Sequence, residues 1–113
     1  MSYYLYLLEC QNNAYYTGYT SNIERRYQEH VAGSLKCKYT RSFPPKRLAV
    51  CWKMELPLSE ILKIECKIKR LSKQKKIELI NHPHRLAYFF PLIIKNVEII
   101  QGMRITDSHQ KDA

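Results

Sequence analysis

Hydrophobic and polar positions alternate at the start of the chain and then change period. Residues Tyr3–Cys10 are rich in Tyr and Leu and fit a strand, Gln11-Asn12-Asn13 carries turn chemistry, and Ala14–Thr20 fits a second strand. If Gln11–Asn13 form a three-residue loop, Cys10 pairs with Ala14, Leu8 with Tyr16 and Tyr6 with Gly18. Tyr4, Tyr6, Leu8, Tyr16 and Gly18 then share one face, with Tyr6 and Tyr16 as diagonal neighbours. Ser21 followed by Glu24 is a capping box, so a helix is expected from there to about Ala32, ended by Gly33. Arg26 and His30 lie one turn apart and project from one side of it, beside the apolar pair Ile23 and Tyr27.

The segment Ser34–Arg47 is basic and irregular, with Pro44 and Pro45 arguing against a central strand there. Leu48–Glu55 fits a third strand. Pro57 and Ser59 introduce a helix over Ser59–Leu71, with Ile61, Ile64, Ile68 and Leu71 as its apolar stripe. At the helical angle per residue, Glu65 falls about 40° from Ile61, at the edge of the buried face. A further helix is expected at Lys73–Asn81, stopped by Pro83. Leu86–Ile100 is apolar but interrupted by Pro91, Lys95 and Asn96, so it should pack on the domain or on a second copy. Gly102–Ala113 is polar and expected to fray.

These elements imply an α/β (α+β) fold in β-β-α-β-α-α order: a small three-stranded, mostly antiparallel sheet with helices packed around it. The expected division is a domain over residues 1–83 and a C-terminal extension over 84–113. A chain of 113 residues suffices for one such domain. Its 19 Lys+Arg against 10 Asp+Glu give a net charge of +9, which suits an anionic partner, nucleic acid first. The four cysteines, Cys10, Cys37, Cys51 and Cys66, show no metal-ligand spacing, so free thiols in a reducing compartment are expected. No leader pattern or membrane-length apolar run is apparent, so the expectation is a cytoplasmic protein with no membrane association.

Beyond these patterns, the chain resembles the GIY-YIG nuclease family in its small single-domain form, over about residues 3–80. Tyr4-Leu5-Tyr6 matches the first family motif and Tyr16-Thr17-Gly18 the second. Arg26, ten residues after Tyr16, and His30 match the helix motif; Lys38-Tyr39-Thr40-Arg41 resembles the KYTR element; Glu65 resembles the metal-binding glutamate. Tyr4 and Leu5 stand where the first motif has Gly and Ile, and Thr17 where the second has Ile.

The resemblance implies metal-dependent phosphodiester hydrolysis of the endonuclease type, with Tyr6, Tyr16, Gly18, Arg26, His30 and Glu65 as the site. Glu65 would take a single Mg²⁺ or Mn²⁺, since a lone carboxylate suits an ion that keeps most of its waters. Arg26 suits a forked contact with phosphate oxygens. Tyr16 is taken as base or water-orienting group and Tyr6 as a positioning group, although the two roles are interchangeable at this level. His30 would relay a proton or hold a phosphate. Lys36, Lys38, Tyr39, Thr40, Arg41, Lys69, Arg70 and Lys73 are expected to contact nucleic acid, with Tyr39 and Phe43 stacking on exposed bases. DNA is the first choice of substrate and RNA the second, with structure-directed or weakly selective binding. The alternative is a nucleic-acid-binding module that keeps the fold and cleaves weakly or not at all. A protein partner for targeting and a homodimer through residues 86–100 are further expectations.

Overall fold

A computed structural model of the chain describes residues 2–33, 37–89 and 98–104. The hairpin is made of β1 (Tyr3–Cys10) and β2 (Tyr15–Thr20). Tyr6 lies opposite Gly18 and Leu8 opposite Tyr16, and the Cys10 amide donates to the Ala14 carbonyl at 2.9 Å. This is the register expected from a three-residue loop. Asn13, with φ 63°, takes the left-handed position that lets so short a loop close.

The helix α1 (Ile23–Ala32) follows. Its cap is Asn22 rather than Ser21: the Asn22 side chain accepts from the Arg25 amide at 3.1 Å. Gly33, with φ 69°, closes the helix and donates to carbonyls of its last turn. Within the segment expected to be irregular, Lys38–Ser42 forms a five-residue helix, α2, with no side-chain cap bond. Strand β3 (Pro45–Met54) starts earlier than expected. Pro45 occupies its first position, where a missing N–H removes no essential ladder bond, and the Gln11 amide donates to the Pro44 carbonyl at 2.8 Å.

Helices α3 (Leu58–Arg70) and α4 (Lys73–Asn81) agree with expectation to within a residue. A 3₁₀ turn at Pro83–Arg85 and the short helix α5 (Leu86–Phe89) come next. Strand β4 (Glu98–Arg104) then pairs antiparallel with β3. The expected three-stranded antiparallel sheet is present and gains this fourth strand, giving the order β2-β1-β3-β4. Thus part of the C-terminal extension, including Gly102, joins the sheet instead of fraying. The rest of the proposed packing segment, residues 90–97, and the tail, 105–113, lie outside the described residues.

The sheet has a different cover on each face. Leu5, Leu7, Val50, Trp52 and Met54 pack against Ile61, Ile64 and Ile68 of α3 and Leu79 and Ile80 of α4. The Trp52 indole N–H also donates to the Pro83 carbonyl at 2.8 Å, tying down the turn after α4. On the other face Tyr6, Leu8, Cys10, Leu48 and Cys51 pack against Ile23 and Tyr27 of α1. A register shift in β3 between the partners of Leu7 and Leu8 inserts Ala49 into the ladder and keeps Leu48 and Val50 on their respective faces. Among the described residues, no helix is long and apolar enough to cross a membrane.

Candidate active site

The α1 face carries a buried line of polar groups. Gly18 is opposite Tyr6 and has no side chain, and a Cβ there would collide with the Tyr6 phenol. The glycine is therefore needed for space: the Tyr6 ring lies against it. Beyond it the phenol oxygen is 2.9 Å from His30 Nε2, and His30 Nδ1 is 2.6 Å from Thr40 Oγ1. Thr40 in turn donates to the Cys37 carbonyl at 3.3 Å.

One arrangement of protons satisfies all of these bonds. A threonine hydroxyl has one hydrogen, and Thr40 gives it to Cys37, so it accepts from His30 Nδ1–H. Burial, followed by the positive charge of Arg26, pushes the His30 imidazole down to about 4. The ring is neutral at pH 7, its Nε2 is bare, and Tyr6 O–H donates to it. Burial also pushes the Tyr6 phenol well above its ordinary value, with the positive charge of Arg26 acting the other way, so it stays protonated. Tyr6, His30 and Thr40 are at most 1% exposed.

Around this line stand Tyr16 and Arg26. The Tyr16 ring is 6.5 Å from that of Tyr6 and 5.2 Å from that of His30, and it stacks on Tyr39 at 5.5 Å. Tyr16 is only half buried, which leaves it the more accessible of the two tyrosines. Arg26 also pairs with Glu29 at 3.1 Å. Arg25, Arg26 and Glu29 of α1 line an open cleft of about 490 Å³ with Tyr19 and Thr20 of β2.

The structure thus brings together Tyr6, Tyr16, Gly18, Arg26 and His30. Glu65 stands apart, on α3, which covers the other face; its carboxylate is 13% exposed and pairs with Lys69 at 3.6 Å. Helix α3 lies along β2, the edge strand, and Tyr19 packs with the α3-face core while also lining the Arg26 cleft. The two faces therefore meet along the free side of β2. Lys76 Nζ reaches the Tyr15 carbonyl there at 3.4 Å, and its pKa is lowered by burial and by nearby Lys69.

Among the described residues no three His, Cys, Asp or Glu gather into a cage. One part-exposed carboxylate, tied only to a lysine that is itself 52% exposed, fits a hard ion that keeps most of its water shell and takes a single protein oxygen.

The expected nucleic-acid contacts divide. Tyr39 and Arg41 are exposed on α2, whereas Lys69, Arg70 and Lys73 are exposed on α3 and α4. Thr40 is fully buried, so its hydroxyl serves His30 rather than the surface. The Lys38 side chain and Lys36 lie outside the described residues. Sequence reasoning missed Glu29 as the partner of Arg26 and the Cys37 carbonyl as the end of the buried line. The one available signal was Thr40 inside the KYTR element.

A family model described as the GIY-YIG catalytic domain matches residues 2–78, which include every residue of this site. A UPF0213 protein of Syntrophus aciditrophicus is 45% identical over 84 residues, 74% of this chain and 95% of its own length. A UPF0213 protein of Halalkalibacterium halodurans is 38% identical over 81 residues, 72% of this chain and 84% of its own. The solution NMR structure of a UPF0213 protein from Bacillus halodurans is 36% identical, covers 77% of this chain and 94% of that one, and has a TM-score of 0.47.

Two outcomes follow from the buried line. The unfolded imidazole of His30 titrates near 6.5 and the folded one near 4, so between these values only the unfolded chain binds the proton. Stability should fall as pH drops through that window, by up to about 3 kcal/mol from this residue. Urea unfolding of wild type and His30→Gln at several pH values checks this: the variant should show a flatter pH dependence. Thr40→Val leaves Nδ1–H without an acceptor and should cost about 1–3 kcal/mol by urea unfolding, with Thr40→Ser close to wild type.

Proposed function

The chain belongs to the GIY-YIG catalytic domain family, and from that premise we propose that it hydrolyses phosphodiester bonds in nucleic acid, DNA first, with one divalent ion. The observation that carries the reading is the buried Tyr6 phenol, 2.9 Å from His30 Nε2 and within the field of the Arg26 guanidinium. Packing alone gives no reason to bury a phenol against a neutral imidazole, because each desolvated polar group costs free energy.

Arg26 has the fork geometry to hold two phosphate oxygens at the cleft, exchanging its contact with Glu29 for the substrate. Tyr16, half buried and beside His30, orients the attacking water or takes its proton. Tyr6 and His30 are too buried to meet substrate, so they act as positioning residues. They set the floor on which Tyr16 rests. Glu65 would hold Mg²⁺ or Mn²⁺ in place of Lys69. Such an ion, when bound, neutralises charge developing on the phosphate oxygens. Lys69, Arg70 and Lys73 on one side of β2, and Arg41 on the other, supply phosphate contacts that set position and salt dependence without reading sequence.

Cleavage of labelled single-stranded and branched DNA with Mg²⁺ or with a chelator tests the reading. Wild type should cut only with the metal. Glu65→Gln and Arg26→Ala should each lose about 10²–10³-fold in rate, with Glu65→Gln still binding DNA nearly as wild type does. Binding with a steep salt slope but no cutting under any metal would favour the non-catalytic binding module.

A further inference from the structure

Four large hydrophobic side chains are exposed among the described residues: Tyr39, Phe43, Leu58 and Leu62. The two leucines are on α3. The two aromatics differ in kind, because they continue the active site. Tyr39 stacks on Tyr16 with ring centres 5.5 Å apart and planes 23° apart. Phe43 follows at 5.3 Å from Tyr39, tilted by 45°. The rings thus run outward from Tyr16, itself 5.2 Å from His30, to Phe43, which is 40% exposed.

The ladder is held rigidly. Asn12, in the hairpin turn, donates to the Tyr39 hydroxyl at 3.1 Å. The Phe43 amide donates to the Tyr39 carbonyl at 3.1 Å. Between them Thr40 anchors α2 to His30. Rings fixed in this way lose little freedom when something stacks on them. Their surroundings are cationic: Arg41 is exposed on the same helix, and Lys46, also exposed, reaches Asn13 of the neighbouring turn at 2.8 Å.

Flat apolar faces with cations beside them suit a ring carried on a phosphate backbone. Every nucleobase offers such a face, so stacking needs no particular sequence. In a duplex those faces are already covered by the neighbouring base pairs, and only an unpaired base presents one.

Building on the reading of the cleft as a phosphodiester site, we propose that Tyr39 and Phe43 form a stacking subsite for an unpaired nucleobase close to the scissile phosphate. The preferred substrate is then a single strand or an unpaired flap. Intact duplex is held only through its phosphates.

Equilibrium binding without divalent metal separates this inference from the hydrolytic reading. The probes are a fluorescent single strand of about 12 nucleotides, within the usual span of such sites, and the matching blunt duplex. Phe43→Ala should weaken single-strand binding by about 5–100-fold, the range expected for losing one base stack. Phe43→Trp should restore it. Duplex affinity, salt slope and Tm should stay at wild-type values in both variants. The inference is overturned if Phe43→Ala binds the single strand as wild type does, or if it loses single-strand and duplex affinity alike. Wild type that binds duplex but not single strand also overturns it while leaving the hydrolytic reading in place. Wild type that binds neither probe removes both.

Discussion

The face of the sheet under α1 depends on the hydrogen bond between Tyr6 and His30. It joins the central strand β1 to helix α1 through a space that exists only because residue 18 is glycine. With Thr40 giving its one hydrogen to the Cys37 carbonyl, the imidazole protonated at Nδ1 satisfies both of its bonds. Direction then propagates along the line, from the backbone near α2 to the phenol. A satisfied buried chain of this kind specifies one geometry, whereas breaking any link would leave a desolvated donor or acceptor. It also explains why α2, five residues long and without a side-chain cap, holds its place: Thr40 pins it from within.

The second constraint is the position of β2 at the edge of the sheet. Helices α1 and α3 cover opposite faces, so Arg26 and Glu65 approach a common region only around this edge. The basic residues divide in the same way, with Arg41 on one side and Lys69, Arg70 and Lys73 on the other. The resting ion pairs, Arg26 with Glu29 and Glu65 with Lys69, keep the two key charges partnered by side chains that are themselves partly exposed. Exchanging such partners for phosphate or metal would leave each charge paired.

Much of the fold could be read from the sequence because its local signals agree with its packing. The strand period together with Asn13 fixed the hairpin register, and the apolar stripe of α3 placed Ile61, Ile64 and Ile68 in the core. Other features escaped for physical reasons. Thr20, Ser21 and Asn22 all offer capping oxygens within one step, and only the observed bonds choose Asn22. Pro45 reads as a barrier in sequence, but a first strand position tolerates it. Strand β4 contains Gly102 and charged residues, and it owes its place to the pairing edge of β3 rather than to its own pattern. At the candidate site, face and spacing paired Tyr6 with Tyr16 and Arg26 with His30, and the family resemblance joined the two pairs. Thr40 was not legible: a threonine among lysines and arginine resembles a surface residue until the fold buries it.

Long-range proton–nitrogen correlation of the His30 ring is the most direct test of the buried line. At pH 7 the spectra should show one neutral tautomer, protonated at Nδ1 and bare at Nε2, and this should persist well below pH 6. A ring protonated at Nε2, or an imidazolium at neutral pH, would contradict the account.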